Sequence, residues 1–90
     1  MHAVVVNVNI KDFEKAHEVL INEIIPMVKS APGFVAGIGW DPRGGQGSSI
    51  VVFETEEAAR EMAKTVEAGA EPSEFVTVTS MEVREVVGHA

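Results

Sequence analysis

Residues 31–40, APGFVAGIGW, restrict the fold more than any other part of the chain. Pro32 disfavours a helical conformation at Ala31 and cannot donate to a continuing helix, while Gly33 allows a turn with positive φ. From Phe34 onward the residues alternate between a bulkier and a smaller set, which is the period of a strand. The sequence therefore predicts that a helix ends here and that the chain turns sharply into a strand.

The size of the chain favours one domain. It has 90 residues, of which 46% are hydrophobic, so we expect a single domain over residues 1–90. A core of this size is only marginally stabilising, and a second copy of the chain would add to it. The chain contains no cysteine, which excludes disulfides and thiolate metal ligands.

The charge of the chain argues against two classes of partner. Fourteen acidic residues against seven basic ones give a formal net charge of -7, which repels phosphate backbones and anionic lipid surfaces. We therefore expect neither nucleic acid nor membrane as a partner. The sequence shows no basic n-region, no separate apolar h-region and no stretch long enough to span a bilayer, so we expect a cytoplasmic protein.

Residues 3–10, AVVVNVNI, predict the first strand. Its even positions form one apolar face, made of Val4, Val6, Val8 and Ile10. The odd positions start apolar at Ala3 and Val5 and become polar at Asn7 and Asn9. The second face of this strand is therefore part apolar and part polar.

A helix with an internal proline follows the first strand. Asp12 is a good N-cap for it. Its apolar residues recur at the spacing of one helix face: Phe13, Ala16, Leu20, Ile24, Met27, Val28 and Ala31. Pro26 lies inside that pattern, lacks a backbone donor and crowds the carbonyl four residues earlier. We expect a kink near Asn22 or a new helical turn that begins at Pro26.

The second half of the chain repeats the order of strand, helix and strand. Residues 41–48 are rich in proline and glycine, which predicts a mobile hairpin loop longer than the tightest type. Residues 49–54 predict a strand, and Thr55 is suited to cap a second helix that ends at Gly69. Residues 75–87 predict a long final strand.

This order predicts an α+β, ferredoxin-like βαββαβ fold, with a four-stranded antiparallel sheet and two helices on one face. The other face has no cover within the chain. Depending on strand parity, that face carries Val5 with either Val51 and Phe53 or Ile50 and Val52. Such a patch is unusual on a soluble monomer, so the sequence predicts a homodimer that pairs through this face.

The helix with an internal proline, the APGF turn, the SIVVFETEEAA junction and the element order resemble the dimeric α/β-barrel superfamily, close to its antibiotic-biosynthesis-monooxygenase-like group. The resemblance covers nearly the whole chain. It implies two sheets packed face to face into a barrel, with the helices outside and the substrate between the sheets. It also implies a cofactor-independent monooxygenase that acts on a small aromatic or quinone-like substrate. The superfamily includes members with no known activity, so a non-catalytic ligand-binding or structural dimer stays the alternative.

Two residues are candidates for catalysis. Asn7 matches the position where haem-degrading relatives carry an asparagine, and a buried amide there could orient a carbonyl or bound oxygen. Alternatively, Asn7 and Asn9 only hydrogen-bond to neighbours or water at the polar end of the strand. His17 lies at the edge of the helix stripe, where it could act as an acid or base, or could simply border the core.

Four residues are candidates for ligand contact: Asn7, Asn9, Trp40 and Phe53. Trp40 is the only tryptophan, and its indole could stack on a planar ligand or close the rim of the core. Phe53 stands where the haem-degrading relatives have a tryptophan at the end of the third strand. The resemblance therefore places a small aromatic molecule among these side chains.

We expect no cofactor and no metal. The chain departs from the haem-degrading pattern at Phe53 and has no histidine in or after the second helix before His89. Three scattered histidines lack the spacing of metal ligands. The segment Arg43-Gly44-Gly45 lacks the Lys-Ser/Thr ending of a phosphate loop and is interpreted as part of the hairpin. Catalysis would then depend on an acidic aromatic substrate that the pocket orients while it stabilises a developing oxyanion.

Overall fold

The computed structural model describes residues 1–65 and 75–88, with the side chain of Asp41 excepted. The strands are β1 (His2–Ile10), β2 (Phe34–Arg43), β3 (Gln46–Phe53) and β4 (Val76–Glu85). The helices are α1 (Phe13–Val19), α2 (Ile25–Lys29) and α3 (Glu56–Thr65), and a π-helical turn (Leu20–Ile24) joins the first two. The predicted helix end at Gly69 and the position of His89 lie outside the described residues.

Helix α1, the π-helical turn and α2 follow one another directly and are called the first helical segment. This segment has the predicted cap and the predicted distortion. The Lys15 backbone N–H donates to Asp12 Oδ1 at 3.2 Å. At the π-helical turn the Ile25 N–H donates to the carbonyl of Leu20, five residues earlier. Pro26 is thereby the second residue of α2, where its missing N–H is tolerated. The expectation of a disturbance around Pro26 is confirmed.

The first helical segment covers the sheet only in part. Ala16 is buried, and Ala31 packs against the core at the end of the segment. Phe13, Leu20 and Met27 belong to the predicted apolar stripe but are exposed. The wider π-helical turn rotates the residues that follow it relative to those that precede it, so a single straight stripe is not maintained. No helix in the described ranges is long and apolar enough to cross a membrane.

The turn between α2 and β2 depends on Gly33. Its φ is +80°, and its carbonyl accepts a hydrogen bond from the Glu54 N–H at 2.8 Å. A Cβ at this position would lie 3.0 Å from the Cβ of Ala58 on α3. The predicted turn is confirmed, and the close approach of α3 adds a second reason for glycine.

Gly33→Ala should lower the free energy of unfolding by about 2–3 kcal/mol, since it combines left-handed strain with a 3.0 Å contact to the Cβ of Ala58. Gly44→Ala is the matched control, because Gly44 has φ +61° but nothing within 4 Å of an added Cβ. It should cost only about 1 kcal/mol. Urea denaturation of both variants measures the difference. Equal losses would show that the contact with Ala58 has no consequence.

The β2–β3 connection differs from the predicted long loop. Gly44 and Gly45 form a two-residue turn with φ values of 61° and 76°, the pattern of a type I′ hairpin. The pairing register shifts by one residue between Trp40 and Arg43, and Pro42 lies within that bulge. The prediction was wrong because the bulge accommodates the proline and pairing resumes beyond it.

The sheet has the order β2-β3-β1-β4, and every neighbouring pair is antiparallel. This α+β architecture is compatible with a ferredoxin-like fold. Its core lies between the sheet and α3, where Phe53, Val4 and Val78 are the largest fully buried side chains. Ala59 of α3 packs on them and is itself fully buried.

The register also settles the parity of the strands. Residues paired across an antiparallel ladder share a face, and Val4 pairs with Val51 while Val5 pairs with Ile50. The face packed against α3 therefore holds Val4, Val51 and Phe53. The opposite side, here called the open face, carries Val5 and Ile50.

Candidate binding site on the open face

One transverse row of the open face combines an indole with three small polar side chains. Trp40 pairs with Ser48, Ser48 pairs with Asn7, and Asn7 pairs with Ser80. These four residues, one from each strand, are called the Asn7 row. Because antiparallel partners project to the same side, all four side chains extend from the open face.

The Asn7 carboxamide is held from both sides. The Ser48 hydroxyl donates to Asn7 Oδ1 at 2.6 Å, and Asn7 Nδ2 donates to Ser80 Oγ at 2.9 Å. These contacts use one amide proton and the Ser48 proton. The second Nδ2 proton and the Ser80 hydroxyl proton remain for a ligand. The row can therefore donate hydrogen bonds to a carbonyl or phenolate oxygen.

A bulge in β4 positions Ser80. The β1–β4 register shifts between Asn7 and Val8, so Thr79 is the extra residue on β4. The Thr79 hydroxyl donates to the backbone carbonyl of Asn7 at 3.0 Å. The bulge allows Val78 to be buried in the core while Ser80 lies opposite Asn7.

Trp40 and Asn9 share the open face with Asn7. Trp40 lies on the outer strand β2 and is 53% exposed. Asn9 is exposed and pairs with Gln46 on one side and Thr77 on the other. The structure therefore brings three of the four predicted ligand contacts to one surface.

Two of the candidate residues lie elsewhere. Phe53 is 0% exposed, and its ring meets that of Phe34 edge to face at a centroid distance of 6.3 Å on the α3 side of the sheet. His17 is exposed on α1, where its ring stacks on Phe13 at 5.5 Å. The structure does not bring either residue together with the Asn7 row.

Sequence reasoning missed Ser48, Ser80 and Thr79. The sequence predicts Ser48 in the long loop, and nothing in the run Thr77 to Ser80 distinguishes one hydroxyl from the next. Their partner Asn7 is 41 residues from Ser48 and 73 from Ser80. The only sequence signal was the polar end of the first strand, since a half-buried amide requires hydrogen-bond partners.

The chemistry of the row is hydrogen bonding and aromatic contact. Tryptophan, serine and asparagine do not titrate near neutral pH. The carboxylate of Glu82 lies in the neighbouring row, two residues beyond Ser80, and accepts a hydrogen bond from Arg84 at 2.7 Å.

Within residues 1–65 and 75–88, no three histidine, aspartate or glutamate side chains come together as a metal-binding group. The row can orient an oxygen atom and stabilise negative charge on it.

The surface depressions near α3 lie away from this row. One, of about 420 Å³, is lined by charged α3 residues, and Arg60 there hydrogen-bonds to Glu56 and holds its pKa below the usual range. Another, of about 470 Å³, lies between the turn at Gly33 and Met62 of α3. Neither depression includes Asn7.

Comparison with the models of known protein families gives no match for this chain. Comparison with curated protein sequences gives no match either.

Proposed function

We propose that the protein is a homodimer in which two open faces pack together and enclose a small planar aromatic or quinone-like molecule over the Asn7 row. The observation that carries this proposal is the Asn7 row itself. It combines a fixed carboxamide, two hydroxyl groups and an exposed indole, and it borders the aliphatic residues Ile38, Ile50 and Val5. Such a mixture of a few polar groups within apolar surroundings is typical of small-molecule sites.

The size and composition of the open face support a second copy as its cover. Ile38 is 67% exposed and Trp40 53% exposed, beside half-buried Val5 and Ile50. Four strands at about 4.8 Å spacing and about eight residues long span roughly 500 Å² in projection. A standard interface buries roughly 800 Å² per partner, so the sheet face would supply the larger part of such an interface.

The pattern of side-chain sizes supports a space between the two sheets. Face-to-face sheets pack about 10 Å apart when large side chains fill the gap. The Asn7 row has serine on both sides of the amide, whereas the next row is Ile38, Ile50 and Val5, with Glu82 at its β4 end. The three aliphatic residues would then make the dimer contact, and the serines would leave room for a planar molecule.

The chemistry proposed is cofactor-independent oxygenation of an acidic aromatic substrate. Asn7 Nδ2 and the Ser80 hydroxyl would donate to the substrate oxygen and stabilise the anion that develops on it. Trp40 would stack on the ring and fix its plane. Since the row supplies no base, the substrate must ionise by its own acidity.

A non-catalytic dimer is the second candidate. The observation that favours it is that the Asn7 carboxamide already has a serine partner on each side. Oxygen uptake with 1,3-dihydroxynaphthalene as the probe separates the two candidates. If oxygen is consumed faster with the protein than without it, the oxygenase is supported. If the probe binds but oxygen consumption does not rise, the non-catalytic dimer is supported.

Asn7→Leu tests the ligand site. It removes the hydrogen bonds of the amide at similar volume, so the affinity for 2-naphthol should fall by about 0.5–1.5 kcal/mol. Folding of the protomer should hold, because the amide is only half-buried there and the Ser48 and Ser80 hydroxyls that lose it can hydrogen-bond to water. Isothermal titration calorimetry measures the affinity. Asn22→Leu is the control, since Asn22 is exposed in the π-helical turn and the same change there should leave binding unaltered.

Two results would contradict the proposal. If sedimentation equilibrium at micromolar concentration shows a stable wild-type monomer, no second open face is present to enclose the ligand. An Asn7→Leu variant that binds 2-naphthol like the wild type but dissociates or unfolds would make Asn7 a structural residue.

A further inference from the structure

The open face changes character along the strands. At the hairpin end, Arg43 pairs with Gln46, Gln46 with Asn9, and Asn9 with Thr77. These four polar residues, here called the hairpin row, lie next to the Asn7 row. Beyond the Asn7 row on the other side come the aliphatic residues Ile38, Ile50 and Val5, with Glu82 at the β4 end of that row.

Arg43 is the one cation of these two polar rows. It makes no ion pair with any side chain that the structure describes, whereas Arg84 on β4 of the same face binds Glu82 at 2.7 Å. Adjacent rows on one face are two residues apart, about 7 Å, which an arginine side chain can span. Its guanidinium can therefore reach a ligand held over the Asn7 row.

Enclosure of the open face makes an unpaired cation costly. A buried charge without a counter-charge is strongly destabilising, while a guanidinium bound to a carboxylate in a bidentate manner is well stabilised. The aliphatic residues on the other side of the Asn7 row suit the apolar body of the same ligand. The face is therefore arranged for a molecule that is anionic at one end and apolar at the other.

We propose that the ligand of the open face carries a carboxylate on its aromatic ring, separate from the oxygen that meets Asn7 and Ser80, and that Arg43 selects this carboxylate while the ring lies over Ser48. This inference rests on the proposed function and adds the second polar group of the ligand and the residue that recognises it. Arg43 is a specificity-determining residue with no part in bond making.

The test compares two probes that differ only in charge, 2-naphthoate and 2-naphthamide, by isothermal titration calorimetry with the full chain. The wild type should bind 2-naphthoate about tenfold more tightly, because a hydrogen bond to a charged group is stronger than one to a neutral group. Arg43→Gln should bind the two probes about equally. Arg84→Gln is the control on the same face and should keep the tenfold preference.

Each other outcome has a distinct meaning. Equal binding of the two probes by the wild type, or an unchanged preference in Arg43→Gln, would overturn the role of Arg43 and leave the proposed function standing. An equal loss of preference in Arg43→Gln and Arg84→Gln would also overturn the role of Arg43. The preference would then come from the summed electrostatic potential of the open face and not from a contact with Arg43. Binding of neither probe, with 2-naphthol also unbound, would overturn the proposed function and this inference with it.

Discussion

Ile38→Asp should convert the proposed dimer into a folded monomer. Ile38 is 67% exposed in the protomer, so the charge costs little in the monomer itself. In the dimer the aspartate carboxylate would be buried without a counter-charge, and its desolvation would cost several kcal/mol per ion. Two-fold symmetry places the substitution in the interface twice. The dimer dissociation constant should rise more than a thousandfold, since each 1.4 kcal/mol is about tenfold.

Analytical ultracentrifugation and circular dichroism together measure this effect. Ile21→Asp is the matched control, because Ile21 is also an exposed isoleucine but belongs to the first helical segment. It should leave the dimer intact. A dimer that survives Ile38→Asp, or that fails equally in both variants, would show that the open face is not the interface.

Phe53→Ala should lower the free energy of unfolding by about 3–5 kcal/mol, the cost of removing a phenyl ring from a packed core. Phe53 is 0% exposed and packs with Val4 and Val78 beneath Ala59 of α3. Small domains are stable by only about 5–15 kcal/mol, so the variant should be close to unfolding at room temperature. Urea denaturation at one fixed protein concentration measures the loss, because a dimer would make stability depend on concentration.

Phe53→Leu provides a graded comparison if the alanine variant does not fold. It retains most of the side-chain volume and should cost less than about 1.5 kcal/mol. Trp40→Ala removes an aromatic ring of the open face and should affect 2-naphthol binding more than monomer folding. A Phe53→Ala variant with unchanged stability and weakened 2-naphthol binding would show that Phe53 contacts the ligand and is not a core residue.

Several local features follow from neighbouring residues and were predictable. Asp12 and Thr55 cap their helices because a side-chain oxygen reaches the N–H three residues ahead. Pro26 disturbs its helix because it lacks a donor, and Gly33 makes the turn because it adopts positive φ. Each of these effects acts within a few residues, so the local sequence contains its cause.

The alternation of Val4, Val6 and Val8 likewise predicted which face of β1 packs in the core. The hairpin was harder, because the Gly-Gly pair suits both a tight turn and a loose loop. The bulge at Pro42 decides between them, and it depends on how β2 pairs with β3. Pairing is a property of two strands and is not contained in either one.

The α+β element order, the helix caps, the turn at Gly33 and the polar end of β1 at Asn7 follow from the amino-acid sequence alone. The folded sheet was needed to show that Ser48 and Ser80 hold the Asn7 amide, that Arg43 lies one row away, and that Phe53 belongs to the opposite face. The difference arises from strand register. A shift of one residue moves every side chain of a strand to the other face, and that register is set by contacts between residues far apart in the chain.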